Sequence, residues 1–174
     1  MDKLFNFAHA VIVLLLIISY NSVAQIPLLT NEYAVKKLTA EEGFVSSEIY
    51  SIIQDRQGLI WFGTAENGVM RYDGRKVTLF EFDSMSDNGL SHNDAGNLML
   101  DRNGNIWIGT SYGLLRYDKT QGDIRRYFHD DKTAESLASN WAIKIYEDRS
   151  KRLWIGTERG LDLYDPDNEQ FIHF

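Results

Sequence analysis

The strings DRQGLIWFGT at 55–64, DRNGNIWIGT at 101–110 and DRSKRLWIGT at 148–157 are one sentence written three times. Their tryptophans, Trp61, Trp107 and Trp154, fall 46 and 47 residues apart. A period of that length, carrying short apolar strands, marks a β-propeller blade array. A helical repeat of similar length needs apolar residues three and four apart, and that spacing is absent. The fold expected is all-β: about three four-stranded antiparallel blades of an incomplete propeller.

Each copy reads as a meander. In the first, residues 49–54 (IYSIIQ) form the innermost strand, 60–63 the second, 69–72 the third and 77–82 the outer one. Between the first two strands lies a turn, where Asp55 accepts backbone N–H groups and Gly58 supplies a positive φ. Asp73-Gly74 is a hairpin signal. The second copy places strands at 96–100, 106–109, 114–117 and 124–128, and the third at 142–147, 153–156, 161–164 and 170–174. Polar connectors at 83–93 and 130–140 carry the chain from the rim back to the axis. Lys151 replaces the turn glycine of the third copy. A left-handed lysine costs about 1–2 kcal/mol, so either that turn changes type or the blade is strained.

Composition agrees with a packed domain. The 174 residues are 44% hydrophobic and 13% aromatic, with two prolines and no cysteine. The net charge of −7 offers no basic face, so nucleic acid is not an expected partner. No thiolate metal site or disulfide can form, and no cofactor is implied. Residues 1–24 read as a secretory signal peptide. Lys3 precedes an apolar run at 10–18, and Ser22-Val23-Ala24 supplies small residues before a cut at Gln25. The run is too short to span a bilayer. The mature chain is expected in the periplasm. Residues 25–42 form an N-terminal segment whose YAVKKL stretch at 33–38 is a candidate ring-closing strand. Blades follow at 43–88, 89–135 and 136–174.

The Asp-Arg-x-Gly turn, the Ile-Trp-Phe/Ile-Gly-Thr strand and the Gly-Leu-x-x-Tyr-Asp strand (113–118 and 160–165) resemble the two-component regulator propeller repeats. So does the connector Ser136-Leu137-Ala138-Ser139-Asn140. The resemblance covers residues 43–174. It implies a periplasmic sensor region of the kind found in Bacteroidetes hybrid two-component histidine kinases. There, paired seven-bladed propellers precede a β-sandwich, a membrane helix and a kinase, and oligosaccharides are commonly sensed. This chain carries no kinase motif. Three blades cannot close a ring, so the reading is an N-terminal piece of a longer sensor, non-catalytic in itself. Its other partners would be the remaining blades of that protein and a second copy in a homodimer, and it would meet the membrane only through downstream domains. Two other classes fit the same repeats. One is a secreted polysaccharide-binding or polysaccharide-degrading propeller. The other is a scaffold that closes its ring by oligomerising.

Repeated residues are expected to be structural. Trp61, Trp107 and Trp154 pack between blades. Asp55, Asp101 and Asp148 cap turns, Thr64, Thr110 and Thr157 bond at strand ends, and Tyr72, Tyr117 and Tyr164 are core or rim aromatics. Function belongs where the copies disagree. Seven residues before each turn aspartate stand Glu48, Asp94 and Trp141. Five after each repeat tryptophan stand Glu66, Tyr112 and Arg159. Strand alternation puts both columns on one face of the propeller. An aromatic ring with charged groups beside it suits a sugar, stacking on it and fixing its hydroxyls. The candidate ligand-binding residues are therefore Trp141, Tyr112, Arg159, Glu66 and Asp94. No catalytic nucleophile motif is present, and His92, His129 and His173 lack metal-ligand spacing. A Glu66–Asp94 carboxylate pair is the one hydrolytic arrangement to test.

Overall fold

The computed structural model describes residues 35–80 and 94–174. The signal peptide, the 83–93 connector and His92 lie outside the described residues. The unit formed by residues 37–174 is all-β. Its three sheets each run in chain order, β1 (Ile49–Gln54) through β4 (Val77–Phe80), β5 (Asn97–Leu100) through β8 (Asp123–Tyr127), and β9 (Ala142–Glu147) through β12 (Gln170–His173). The middle strands are β2 (Ile60–Thr64), β3 (Val69–Tyr72), β6 (Ile106–Thr110), β7 (Gly113–Asp118), β10 (Leu153–Thr157) and β11 (Gly160–Asp165). All neighbours pair antiparallel. The innermost strands β1, β5 and β9 lie in succession against one another, so the sheets stack as three propeller blades. The expected strands stand, with bounds moved by a residue or so. Residues 81 and 82 fall outside the described chain.

Two conserved-looking features of the repeat turn out to be one device. The turn aspartate accepts two backbone N–H groups on Oδ1 and the repeat tryptophan's indole N–H on Oδ2. Asp55 takes Gln57 and Leu59 at 2.9 and 3.0 Å, then Trp61 at 2.7 Å. Asp101 does the same for Asn103, Asn105 and Trp107. Asp148 does it for Ser150, Arg152 and Trp154. A buried indole needs a partner, and the carboxylate that shapes the turn supplies it. These bonds hold the Asp148 carboxyl far below its usual range.

The tryptophans then fill the spaces between blades, as expected. Trp61 meets Phe80 of its own blade at 5.1 Å and Tyr117 of the next at 6.1 Å. Trp107 meets Tyr127 at 5.8 Å and Tyr164 of the next blade at 5.0 Å. Trp154 has Phe174 of its own blade at 5.4 Å. It is half-buried, whereas Trp107 is 2% exposed. Around it Tyr146, Leu161, Ile172 and Phe174 are exposed. The outward face of the third blade thus carries the residues that blades one and two bury. The opposite end differs. There Leu38 and Phe44 pack on Phe62, Met70 and Val77, with Phe44 edge-on to Phe62 at 5.4 Å.

Hydrogen bonds also cross between blades near the axis. Ser51 Oγ accepts the Leu98 N–H at 3.0 Å, and Asn97 Oδ1 accepts the Ile145 N–H at 2.9 Å. Both residues sit opposite the repeat glycines Gly63 and Gly109. Lys144 holds that place in the third blade, opposite Gly156. At the turn end Arg56 donates to the Arg102 carbonyl, and Arg102 donates to the Asp148 carbonyl at 2.7 Å.

One expectation is resolved, and the closing strand awaits the blade it would join. Residues 35–38, the described part of the proposed closing strand, are not in a strand. A closing strand needs a last blade to join, and no such sheet is among the described residues. Leu38 nevertheless lies on the outer half of the first blade, while Tyr50 and Ile52 on its inner strand are exposed. Lys151 keeps the glycine turn rather than changing its type. Its φ is 67°, against 85° and 92° at Gly58 and Gly104, and its N–H still donates to the Asp148 carbonyl. Lys151→Gly is therefore expected to raise stability. The strain of about 1–2 kcal/mol is relieved, less about 0.5–1 for the looser unfolded chain. Chemical denaturation of the two chains checks it, and a loss of stability contradicts it.

His173 and Asp162 form a second inter-element tie. Asp162 is fully buried and accepts the Ala138 N–H at 2.8 Å and His173 Nδ1 at 2.7 Å. His173 Nε2 faces the Ala134 carbonyl at 2.8 Å. Both ring nitrogens meet acceptors, which favours the imidazolium. The Asp162 hydrogen bond, above all, raises the His173 pKa. A raised folded-state value means the contribution is complete below the ordinary imidazole range and is lost as pH rises through the raised value. Stability is expected to fall as pH rises from the ordinary imidazole value through the raised one, and His173→Gln to remove that step. Denaturant midpoints across that range decide it; an equal step in both chains contradicts the assignment.

Candidate ligand-binding face

The loop-end threonines build the face that the two variable columns occupy. Thr110 Oγ1 donates to the Gly113 carbonyl and accepts the Tyr112 N–H at 2.9 Å. Thr157 Oγ1 donates to the Gly160 carbonyl and accepts the Arg159 N–H at 3.2 Å. Thr64 holds Asn67 and Gly68 in the same way. Each second-to-third-strand loop then meets a lead-in to an innermost strand. Ala65 N–H donates to the Glu48 carbonyl at 3.3 Å, and Glu158 N–H to the Trp141 carbonyl at 3.4 Å. Gly113 N–H donates across the blades to the Asn140 carbonyl at 2.6 Å. The two columns do share one end of the blades.

They divide by charge. Tyr112, Trp141 and Arg159 stand on neighbouring loops of the second and third blades, joined by the Gly113–Asn140 and Glu158–Trp141 backbone bonds. Trp141 is 53% exposed and Tyr112 38%. Trp141 N–H donates to Ser139 Oγ at 3.2 Å, and that hydroxyl donates to Glu158 at 2.8 Å. Arg159 is exposed, and its guanidinium reaches His129 Nε2 at 3.1 Å. Glu48, Glu66 and Asp94 form the other group, around Tyr50. Tyr50 donates to Glu48 at 3.3 Å, and the Glu48 charge above all holds its phenol pKa above the ordinary value, with Asp94 and Glu66 adding.

Asp94 is committed to structure, accepting both the N–H and the hydroxyl of Ser111 at 2.9 Å. That leaves the Glu66–Asp94 pair without the arrangement that hydrolysis needs, an acid and a base both turned to a substrate. Among the described residues no group of three or more His, Asp or Glu side chains could hold a metal ion. His129, Ser139 and Glu158 complete the aromatic patch and were not legible as site residues. His129 lies at the entry to a connector, and its ring partners run from Asp131, two residues on, to Arg159, 30 residues away.

Stacked four-stranded antiparallel blades define a propeller repeat protein. Residues 43–66, 89–112 and 136–159 each match the family described as two component regulator propeller, and the chain belongs to that family. Over 96 residues it is 29% identical to Histidine kinase P4 of Formosa agariphila, a match covering 51% of this chain and 7% of the kinase. The extracellular domain of a hybrid two component system from B. thetaiotaomicron superposes with a TM-score of 0.72 at 28% identity. That alignment covers 82% of this chain and 20% of the other. PorZ, a surface component of the type-IX secretion system of Porphyromonas gingivalis, shares the fold, with a TM-score of 0.56 at 21% identity over 82% of this chain and 21% of PorZ. The chain thus spans about a fifth or less of the proteins it matches. Among the described residues no helix is long and apolar enough to cross a membrane, which says nothing of a β-barrel.

Proposed function

We propose that this chain is a ligand-binding propeller segment of a periplasmic sensor in a hybrid two-component system, that its ligand is an oligosaccharide, and that it does no chemistry itself. The observation that carries the reading is that Tyr112, Trp141 and Arg159 stand on adjoining loops at one end of the blades. Large aromatic rings left half in water beside an oriented guanidinium suit a pyranose ring, which has an apolar face and a rim of hydroxyls. The likeness to an extracellular domain of a hybrid two component system supports an exported location. The outward face of the third blade supports a further blade of the same protein packed against it. The oligomerising scaffold is the weaker reading. The chain spans about a fifth or less of the proteins it matches, so further blades need no second copy.

Titration of the protein with malto-, cello- and xylo-oligosaccharides, followed by tryptophan fluorescence, tests the reading. Binding by one series is expected, weakened at least about tenfold by Trp141→Ala, as for loss of a central aromatic contact. Binding that Trp141→Ala leaves unchanged contradicts it. Turnover of the oligosaccharide would favour the degrading propeller instead.

A further inference from the structure

His129 sits between the connector and the loop that carries Arg159. Its backbone N–H donates to Asn140 Oδ1 at 2.7 Å, next to Trp141. Its Nδ1 lies 2.7 Å from the Leu137 carbonyl, which can only accept, so Nδ1 carries a proton. Nε2 then faces two groups with opposite demands. Arg159 Nη1 stands 3.1 Å away and can only donate. Asp131 Oδ1 stands 2.9 Å away and, ionised, can only accept. A neutral ring satisfies Arg159 with its lone pair. A charged ring donates to Asp131 and repels the guanidinium.

We propose that His129 is the positioning residue of the ligand face. Its neutral ring docks Arg159 beside Trp141, and uptake of one proton from solvent at Nε2 exchanges Arg159 for Asp131. The inference rests on the ligand-binding reading above and adds its regulation. Asp130, on the same connector, is the other charged group against the ring, while Glu158, on the Arg159 loop, accepts from Ser139. Asp131 is free to move, its side chain being 93% exposed. A docked guanidinium presents its remaining N–H groups in one place. A released one must be ordered again by the ligand, which costs affinity. Acid is therefore expected to weaken binding of a neutral oligosaccharide several-fold.

The exchange can be read without ligand, from the imidazole nitrogen resonances of the protein at about pH 8 and about pH 5, where histidine changes charge. At the alkaline point the His129 proton is expected on Nδ1, and Arg159→Gln is expected to move the Nε2 resonance. Asp131→Asn, a change at an exposed side chain, is expected to shift the acid transition to lower pH. A neutral ring protonated on Nε2, or an Nε2 resonance indifferent to Arg159→Gln, overturns the proposal. With an oligosaccharide that binds, affinity is expected to fall on acidification in the unaltered chain and stay flat in His129→Asn. An equal fall in both also overturns it. If no oligosaccharide binds, the ligand reading fails, while the resonances still decide the exchange.

Discussion

Gly109→Ala is expected to destabilise the protein by about 3 kcal/mol, and Gly156→Ala by almost nothing, although both glycines stand in the same Ile-Gly-Thr sequence. A Cβ at Gly109 would lie 2.5 Å from the Ala142 carbonyl oxygen of the next blade, and Gly63 meets the Ala95 oxygen at the same distance. Backbone cannot swing aside as a side-chain tip can. The innermost strands would have to part, and the Asn97–Ile145 bond would open with them. At Gly156 the nearest atoms are Lys144 Cβ and the Lys144 carbonyl oxygen, both at 3.7 Å, ordinary contact within its own blade. Alanine there is expected to be neutral, or slightly stabilising through the unfolded chain. Denaturant unfolding of the two variants gives the comparison. Equal losses would mean that the glycines serve the strands themselves and not the spaces between blades.

Trp107→Ala is expected to cost about 3–5 kcal/mol, a large part of the stability of an ordinary domain. The side chain is the centre of an aromatic cluster with Tyr127 and Tyr164, and Arg116 lies 5.8 Å over its ring. Its removal leaves a cavity between two blades and takes one hydrogen bond from buried Asp101. In the chain of residues 1–174 taken by itself, Trp154→Ala is expected to cost markedly less, since among the described residues no aromatic ring of another blade meets that side chain. Calorimetric midpoints of the two variants test the gradient. A Trp154 loss as large as that at Trp107 contradicts the inter-blade account of these side chains.

The blade was legible because its signals are local and repeated. The turn aspartate, the strand that follows it and the period all lie within a few residues of one another. The structural roles of the repeated tryptophans, aspartates and threonines followed from that repetition. What stayed hidden depends on geometry that spacing alone does not carry. The bond from Asp101 to Trp107 joins two features that were read as independent. Lys151 posed a choice that only the φ angle could answer. Residues 33–38 alternate like a strand, yet alternation cannot supply a sheet to join. His129 has no periodic counterpart in the described blades, so nothing in its neighbourhood marks it as the residue between Trp141 and Arg159.

Hydroxyl-radical footprinting of the protein as its own cell makes it tests the sensor architecture most directly. Trp107 serves as the buried standard and Trp141 as the exposed one. If a further blade covers the third, Trp154 and Tyr146 will be protected as Trp107 is. If the face is open in the native protein, both will label as readily as Trp141, and the continuing propeller on which the sensor reading depends is contradicted.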